Sequence, residues 1–402
     1  MKKKSRYFEL ISAKRIINSL AFTILIFSLL TGCKKDTESM QSRQDAVAQT
    51  PDQLTAKWGI PNIVVHKGES IQAAVNEAKK GYVIFIEPGT YKEAIKVSKP
   101  GIKLIGEFSS DGGEVVIKNP DDEEDGIHVT DNGDGFILAN VTVKNFTENG
   151  VYLDSVDNYV ISNVKAINNA DYGIFPSHSN HGLIEFCSAT GSSDTGIYVG
   201  QSSDVKMQFN TAFGNVNGME VENSSDIDVS FNQSYNNVHG LLVDLLPGPE
   251  RQIKTSANIH VHSNHIYDNN HKNFATDTTE LESHVPRGLG ILVLGTDQTV
   301  VEKNTVTGNN FAGITVFSSL VLVVLAGIPP GDFDIEPNPD GTKVTNNIVT
   351  GNGAKPPQIP NLPLPGVDLL YDGSGTNNCW SNNIFATSIN ISNGSTQLPS
   401  CN

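Results

Sequence analysis

Glycine followed by apolar-x-apolar recurs down this chain: Gly126-Ile-His-Val, Gly150-Val-Tyr-Leu, Gly173-Ile-Phe-Pro, Gly196-Ile-Tyr-Val, Gly218-Met-Glu-Val and Gly240-Leu-Leu-Val. Their intervals are 24, 23, 23, 22 and 22 residues, and the motif returns at Gly290, Gly313 and Gly366. A second, mostly asparagine column runs between them at Asn140, Asn163, Cys187, Asn210, Asn232, Asn264, Asn304, Asn347 and Asn383. Short β-branched runs of period 2 surround both columns. Such strands inside a period of about 23 residues describe one coil of a solenoid, three strands and three turns long. Equivalent residues then stack about 4.8 Å apart. Asn suits the turns because it tolerates left-handed backbone and bonds along the stack. The Leu-x-x-Leu-x-Leu of a leucine-rich repeat is absent. The expected fold is all-β, a right-handed parallel β-helix.

The ends of such a coil need covers. Ser70–Gly81 reads as an amphipathic helix with Ile71, Ala74, Val75 and Ala78 on one face and Gly81 as its stop, placed to plug the N-terminal end. Tyr82–Tyr91 reads as the first strands and turn. Cys379 and Cys401, 22 residues or about one coil apart, are a candidate disulfide in an oxidising compartment. Cys187, in an asparagine position, reads as a small buried residue. The β-helix domain is assigned to 61–402, with insertions near 245–288 and 318–342; loops of that length often carry function. The uncharged run Phe311–Ile328 is read as a core strand plus an apolar loop rather than a membrane span, because Gly313-Ile-Thr-Val fits the repeat.

Residues 1–32 read as an address: six basic residues, an apolar run from Ile16 to Leu30, then Leu30-Thr31-Gly32-Cys33. That tetrad resembles the bacterial lipobox and makes Cys33 the lipidation site, with a lipid anchor in a membrane. Residues 33–60 are polar and aperiodic, a flexible linker. The expected location is the bacterial cell envelope, periplasmic or on the outer-membrane surface. The formal charge of −16 becomes about −21 once the leader, net +5, is removed. That excludes nucleic acid as the main partner, since phosphate-backbone binding needs the opposite sign.

Ile71-x-x-Ala74-Val75-x-x-Ala78-x-x-Gly81, followed by Ile84-x-Ile86-x-Pro88-Gly89-x-Tyr91, resembles the N-terminal signature of pectin-lyase-like right-handed β-helix proteins. That superfamily holds polysaccharide lyases, pectin methylesterases, mannuronan C5-epimerases and NosD-type periplasmic accessory proteins. Residues 63–384 look closer still to bacterial parallel β-helix repeat lipoproteins, on Tyr172-Gly-Ile-Phe-Pro-Ser, Asp194-Thr-Gly-Ile-Tyr-Val-Gly-Gln-Ser, Asn273-Phe-Ala and Asp332-Phe-Asp. Tyr172-Gly173-Ile174-Phe175-Pro176-Ser177-His178 resembles the epimerase Tyr-Gly-Phe-Asp-Pro-His-Glu motif, in which Tyr and His are acid and base. Here Phe175 stands for the Asp and Ser177 for the His, with His178 shifted by one. The resemblance implies a polysaccharide partner and a lyase or uronate C5-epimerase; whether the chain is an enzyme stays open.

Stacking turns sequence columns into surface rows. Two residues past each repeat glycine stand His128, Tyr152, Phe175, Tyr198 and Glu220; two before it stand Glu124, Glu148, Asp171 and Asp194; four past it stand Asp154, Ser177, Glu222 and Asp244. Aromatics offer platforms for sugar rings, and carboxylates bind hydroxyls or move protons. Tyr172, His178 and Asp194 are the candidate catalytic residues; Tyr152, Phe175, Tyr198, Glu220 and Asp171 are the candidate substrate-binding ones. No cofactor is called for beyond candidate Ca²⁺ ligands at Asp332, Asp334 and Glu336, which alternate along an acidic loop without EF-hand spacing. His260 and His262 share a strand face, but no cysteine or His-Glu signature joins them into a zinc motif. The expected function is a membrane-anchored β-helix that binds, and where catalytic modifies, a polysaccharide. The alternative is a non-catalytic accessory β-helix docking a protein partner, for which the apolar loop near Leu320–Leu325 is the candidate surface.

Overall fold

The repeat folds as its spacing requires, each coil giving one strand to each of three sheets. In this computed structural model, which describes residues 50–108, 113–360 and 362–401, the sheets hold 12, 11 and 11 strands. All pair in parallel and in register: Tyr152 lies beside His128 and Phe175, and Glu220 beside Tyr198 and Leu242. Inward positions such as Val151, Ile174, Ile197, Met219 and Leu241 form one continuous core. This is an all-β parallel β-helix. The leader, Cys33 and the linker up to residue 49 lie outside the described residues.

The asparagine column is a ladder. The backbone N–H of Asn232 donates to Asn264 Oδ1 at 2.9 Å, that of Asn264 to Asn304 at 2.9 Å, and that of Asn304 to Asn347 at 2.9 Å. Each side-chain amide also donates to a carbonyl of the preceding coil, as Asn264 does to Val229 at 2.8 Å. A second ladder runs through Asn215, Asn237, Asn269, Asn309 and Asn352. Cys187 sits in the first column, buried, its N–H donating to Asn210 at 2.9 Å, and burial pushes its thiol up to about 12. Asn264→Ala strands a buried carbonyl and a buried N–H, each worth about 1–3 kcal/mol when unsatisfied. The expected loss is about 2–4 kcal/mol, read as a lower midpoint in denaturant unfolding.

The cap helix is shorter than its pattern, Ile71–Glu77 rather than reaching Gly81. Ser70 caps it, Ile71, Ala74 and Val75 are buried, and Ala78 already has extended backbone. Gly81 instead bonds to Pro100 of the next coil, with φ of +77°. Part of the assigned linker is also structured. Pro51–Trp58 is a helix closed by a reciprocal Thr50/Gln53 capping box. Its Leu54 and Trp58, one turn apart, pack on Val83, Phe85, Ile105 and Ala139 and cover the outside of the first coils. Cys379 and Cys401 form a disulfide across the last coil.

The first insertion is two loops, not one. Between residues 245 and 288 the chain returns to the ladder as His260–His262 and His265–Tyr267. The second insertion carries short helical turns at Ser319–Val321 and Leu322–Leu325. Among the described residues no helix is long and apolar enough to cross a membrane. The strands Thr195–Gly200, Asn217–Glu222 and His239–Asp244 are buried at every position. A strand buried on both faces has a cover outside as well as a core inside. Here the cover is these loops, and beneath it lies a pocket.

Candidate functional site

Three stacked rows run under this pocket of about 490 Å³, and its floor takes their members from Asn217, Glu220 and Glu222 onward. They run Thr195–Asn217–His239–Leu289, Tyr198–Glu220–Leu242–Leu292 and Gly200–Glu222–Asp244–Leu294. Each row therefore turns from polar to leucine along the solenoid axis. The loop after Asp244 adds Leu246 and Arg251, the loop after Tyr267 adds Asp277, Glu280, Leu281, Glu282 and His284, and the apolar loop adds Val321, Leu322 and Leu325. One half of the pocket is a carboxyl cluster and the other an aliphatic wall.

The carboxyl half is knit together by Thr195. The Thr195 hydroxyl lies 2.9 Å from Asp194 Oδ1 and is also bonded to Glu220 Oε2. One hydroxyl has one hydrogen, so Thr195 can satisfy only one of the two carboxyls fully, and burial of both favours their protonated forms. Glu220 Oε2 accepts from Asn217 Nδ2 at 3.2 Å as well. Burial pushes Asp194 up to about 7, with Glu222 and Asp171 adding to the rise, against hydrogen bonds from Tyr172 and Thr195. Burial, then Asp244, Asp194 and Glu222, hold Glu220 well above the usual carboxylate range. Asp244 is raised likewise, by burial and then Glu222, and neither of its oxygens has a hydrogen-bond partner. Glu282, on the covering loop, is pushed up to about 8, mainly by burial. Arg251 Nε donates to Glu222 Oε1 at 2.7 Å. His239 is wholly buried with both ring nitrogens unpartnered, and burial pushes it down to about 3, so it is a neutral imidazole. The arrangement sets carboxyls that burial raises beside one paired with a guanidinium, a pairing suited to general acid and base work.

Of the residues expected from sequence, Tyr172, Asp194, Glu220 and Asp171 meet in the pocket. His178 does not line it. It sits past the strand Ile174–Ser177 with φ of 52°, its Nδ1 3.0 Å from Ser177 Oγ, so the shift of one residue has taken it away from Tyr172's side. The aromatic row is not a sugar platform. Its rings stack on one another, Tyr152 on His128 at 4.7 Å and on Phe175 at 5.0 Å, and Phe175 on Tyr172 at 4.2 Å. Tyr198, 4% exposed, packs against Phe175 at 4.9 Å. A face already covered by a neighbouring ring is not open to a ligand. The acidic loop gives no joint cation site either. Lys254 pairs with Asp334 at 2.5 Å, while Glu336 gathers instead with Asp297 and Asp340, and Asp332 joins neither group.

Sequence reasoning passed over His239, Asn217 and Thr195, saw Arg251 only as a basic residue near the central coils without a motif, and left Glu222 and Asp244 as members of a row. His239 carried a usable signal, because it stands immediately before its repeat glycine as Tyr172 does. Arg251 carried none, since it arrives on a loop without periodicity.

No curated protein matches this chain. The family described as a right handed beta helix region matches residues 125–247, the stretch of tightest period. Among solved structures, the A-module of the mannuronan C-5 epimerase AlgE4 of Azotobacter vinelandii is 15% identical, with a TM-score of 0.57 over 80% of this chain and 91% of its own. The AlgE6 A-module of the same organism is 15% identical, with a TM-score of 0.56 over 78% of this chain and 93% of its own. A DFA-IIIase of Arthrobacter chlorophenolicus A6, solved with GF2, is 12% identical, with a TM-score of 0.52 over 90% of this chain and 84% of its own. At such identity the likeness speaks to fold.

Proposed function

We propose that this chain, a right-handed parallel β-helix of the pectin-lyase-like superfamily, binds an uncharged saccharide in the carboxyl pocket and acts on its glycosidic bond. The observation that carries the reading is the buried, mutually contacting Asp194–Thr195–Glu220 group, whose carboxyls burial raises toward their protonated forms, beside the Glu222–Arg251 pair. Glu220 is the proton donor to the leaving oxygen. Glu222, paired with Arg251, faces the positive charge that develops on the sugar or takes a proton from the attacking hydroxyl. The leucine half receives the C–H faces of the ring or an apolar aglycone.

This reading departs from lyase and epimerase chemistry on a uronate. Those reactions remove the C5 proton and need cationic groups to neutralise the sugar carboxylate. The lining contains eight carboxyl side chains, and its one Lys or Arg, Arg251, is bound to Glu222 and Glu250. A uronate carboxylate would find no unpaired Lys or Arg in the lining to neutralise it; a neutral saccharide needs none. Two of the solved neighbours are named as mannuronan C-5 epimerases and one as a DFA-IIIase solved with GF2. The test is a panel of neutral and uronate oligosaccharides followed by mass spectrometry. Cleavage or rearrangement of a neutral member is expected. Unsaturated uronate products, or no change in any neutral member, would sink the reading.

The lipobox supports an envelope location, with Cys33 as the anchor. Cys33→Ser is expected to move the protein from the membrane fraction to the soluble fraction of envelope extracts, because on this reading the lipid on Cys33 is the tether. An unchanged membrane fraction in that variant would remove the anchor from the account.

A further inference from the structure

On a different sheet from the pocket, neighbouring strands bring Asp228, His260 and His262 together. Asp228 lies beside His260 across the ladder, and His262 lies beside Glu302. Asp228 Oδ2 is 3.1 Å from His262 Nε2 and 3.8 Å from His260 Nδ1, and the three ligand atoms lie within 4.8 Å of one another. Ligands held about 2.1 Å from a common tetrahedral ion stand about 3.4 Å apart, so small rotations bring all three to one centre.

The groups behind these atoms are what distinguish the cluster from a chance meeting of histidines and acids. His260 turns its other nitrogen, Nε2, to Glu302 Oε1 at 3.3 Å. His262 turns Nδ1 to Ser263 Oγ at 3.3 Å. Asp228 accepts the Ser230 hydroxyl on Oδ1 at 2.6 Å, leaving Oδ2 for the shared centre. A metal-bound imidazole donates its remote N–H to a carboxylate or other oxygen, which fixes tautomer and ring angle. Both histidines have that partner on the correct nitrogen, and Glu302 is itself held by Lys303 at 3.0 Å. All four residues sit on or beside ladder strands, so their spacing is fixed by the fold rather than by a loop.

We propose that Asp228, His260 and His262 bind a divalent transition ion of the zinc class, with Glu302 and Ser263 orienting the imidazoles. Two nitrogens and one carboxylate suit Zn²⁺, whereas Ca²⁺ requires six or more oxygens. The side chains are part-exposed, which leaves a fourth position to water or to a group from another molecule.

The experiment uses the full chain, stripped with chelator, dialysed against Zn²⁺ and assayed by elemental analysis, with Co²⁺ as the spectroscopic probe. Wild type is expected to retain one more Zn²⁺ per chain than His262→Gln or Asp228→Asn. Its Co²⁺ form is expected to show visible d–d absorption that those variants lack. Glu302→Gln, which removes no ligand, is expected to weaken Zn²⁺ binding about 10–100-fold. The ladder holds the surrounding strands in every variant, and circular dichroism checks this. Equal Zn²⁺ content in wild type and the ligand variants, or a wild type that retains none, would overturn the proposal.

Discussion

Exchanging Arg251 for Met is expected to lower stability by about 3–5 kcal/mol near pH 8 and by much less near pH 5. Arg251 and Glu222 have side chains only 16% and 9% exposed, so this is a buried pair. Removing the guanidinium leaves Glu222 uncompensated among Asp244, Glu220 and Asp194. The pH dependence follows from the direction of the shifts. Asp194 is raised from an ordinary carboxylate value to about 7, and Glu220 and Asp244 are raised as well. A carboxyl raised on folding contributes stability that is whole below its unfolded value, about pH 4, and is lost as pH climbs through its folded value. Wild type should therefore soften from about pH 4 upward through about 7, and Arg251→Met should soften more steeply, because the guanidinium then no longer offsets the rise at Asp244. Denaturant midpoints at the two pH values read the effect. A loss equal at both would assign Arg251 a packing role. Arg251→Met with Glu222→Leu should recover much of the stability, since two apolar groups of similar shape remove the orphaned charge along with its partner.

The solenoid was legible because its signal is repeated. A glycine every 22–24 residues and an asparagine column midway leave little else for the chain to become, and the ladder from Asn210 to Asn383 is that column seen in space. The rows past each glycine were legible for the same reason, so Glu220, Glu222 and Asp244 were in view. What the rows do was harder to read. A row says that Tyr152 and Phe175 are neighbours; it does not say that their rings consume each other's faces. Nor does it say which rows are roofed. That depends on the loops after Asp244, Tyr267 and Phe317, which have no period and bring Arg251, Glu282 and Leu322 from far along the chain. His178 was misplaced by counting from a motif. A turn residue with left-handed backbone does not follow the alternation of the strand before it, whereas His239, inside a strand, does. The helix Pro51–Trp58 was missed because eight residues with only Leu54 and Trp58 to bury give a weak pattern, although Thr50-Pro51-Asp52-Gln53 is a capping sequence.

Glu220→Gln is expected to lower turnover of a neutral saccharide substrate by about 10²–10⁴-fold with little change in KM. Gln keeps the shape and a carbonyl oxygen to accept from Asn217 Nδ2 and Thr195 Oγ1, so the pocket and the bound sugar should be preserved. What it lacks is a proton to give to a leaving oxygen, an interaction made only in the transition state, so the loss should fall on kcat. Wild-type activity should also decline as pH rises through about 7, because Asp194 then loses the proton it exchanges with Glu220 through Thr195, and Glu282 follows at about 8. In Glu220→Gln the residual activity should lose that alkaline limb. The two readouts separate chemistry from architecture. A residue needed only to hold the floor together would raise KM or unfold the protein, and it would leave the pH profile of the remaining activity where it was. Retained kcat in a folded Glu220→Gln would move the donor role to Asp244, whose oxygens are buried without partners and whose carboxyl is raised by the same burial.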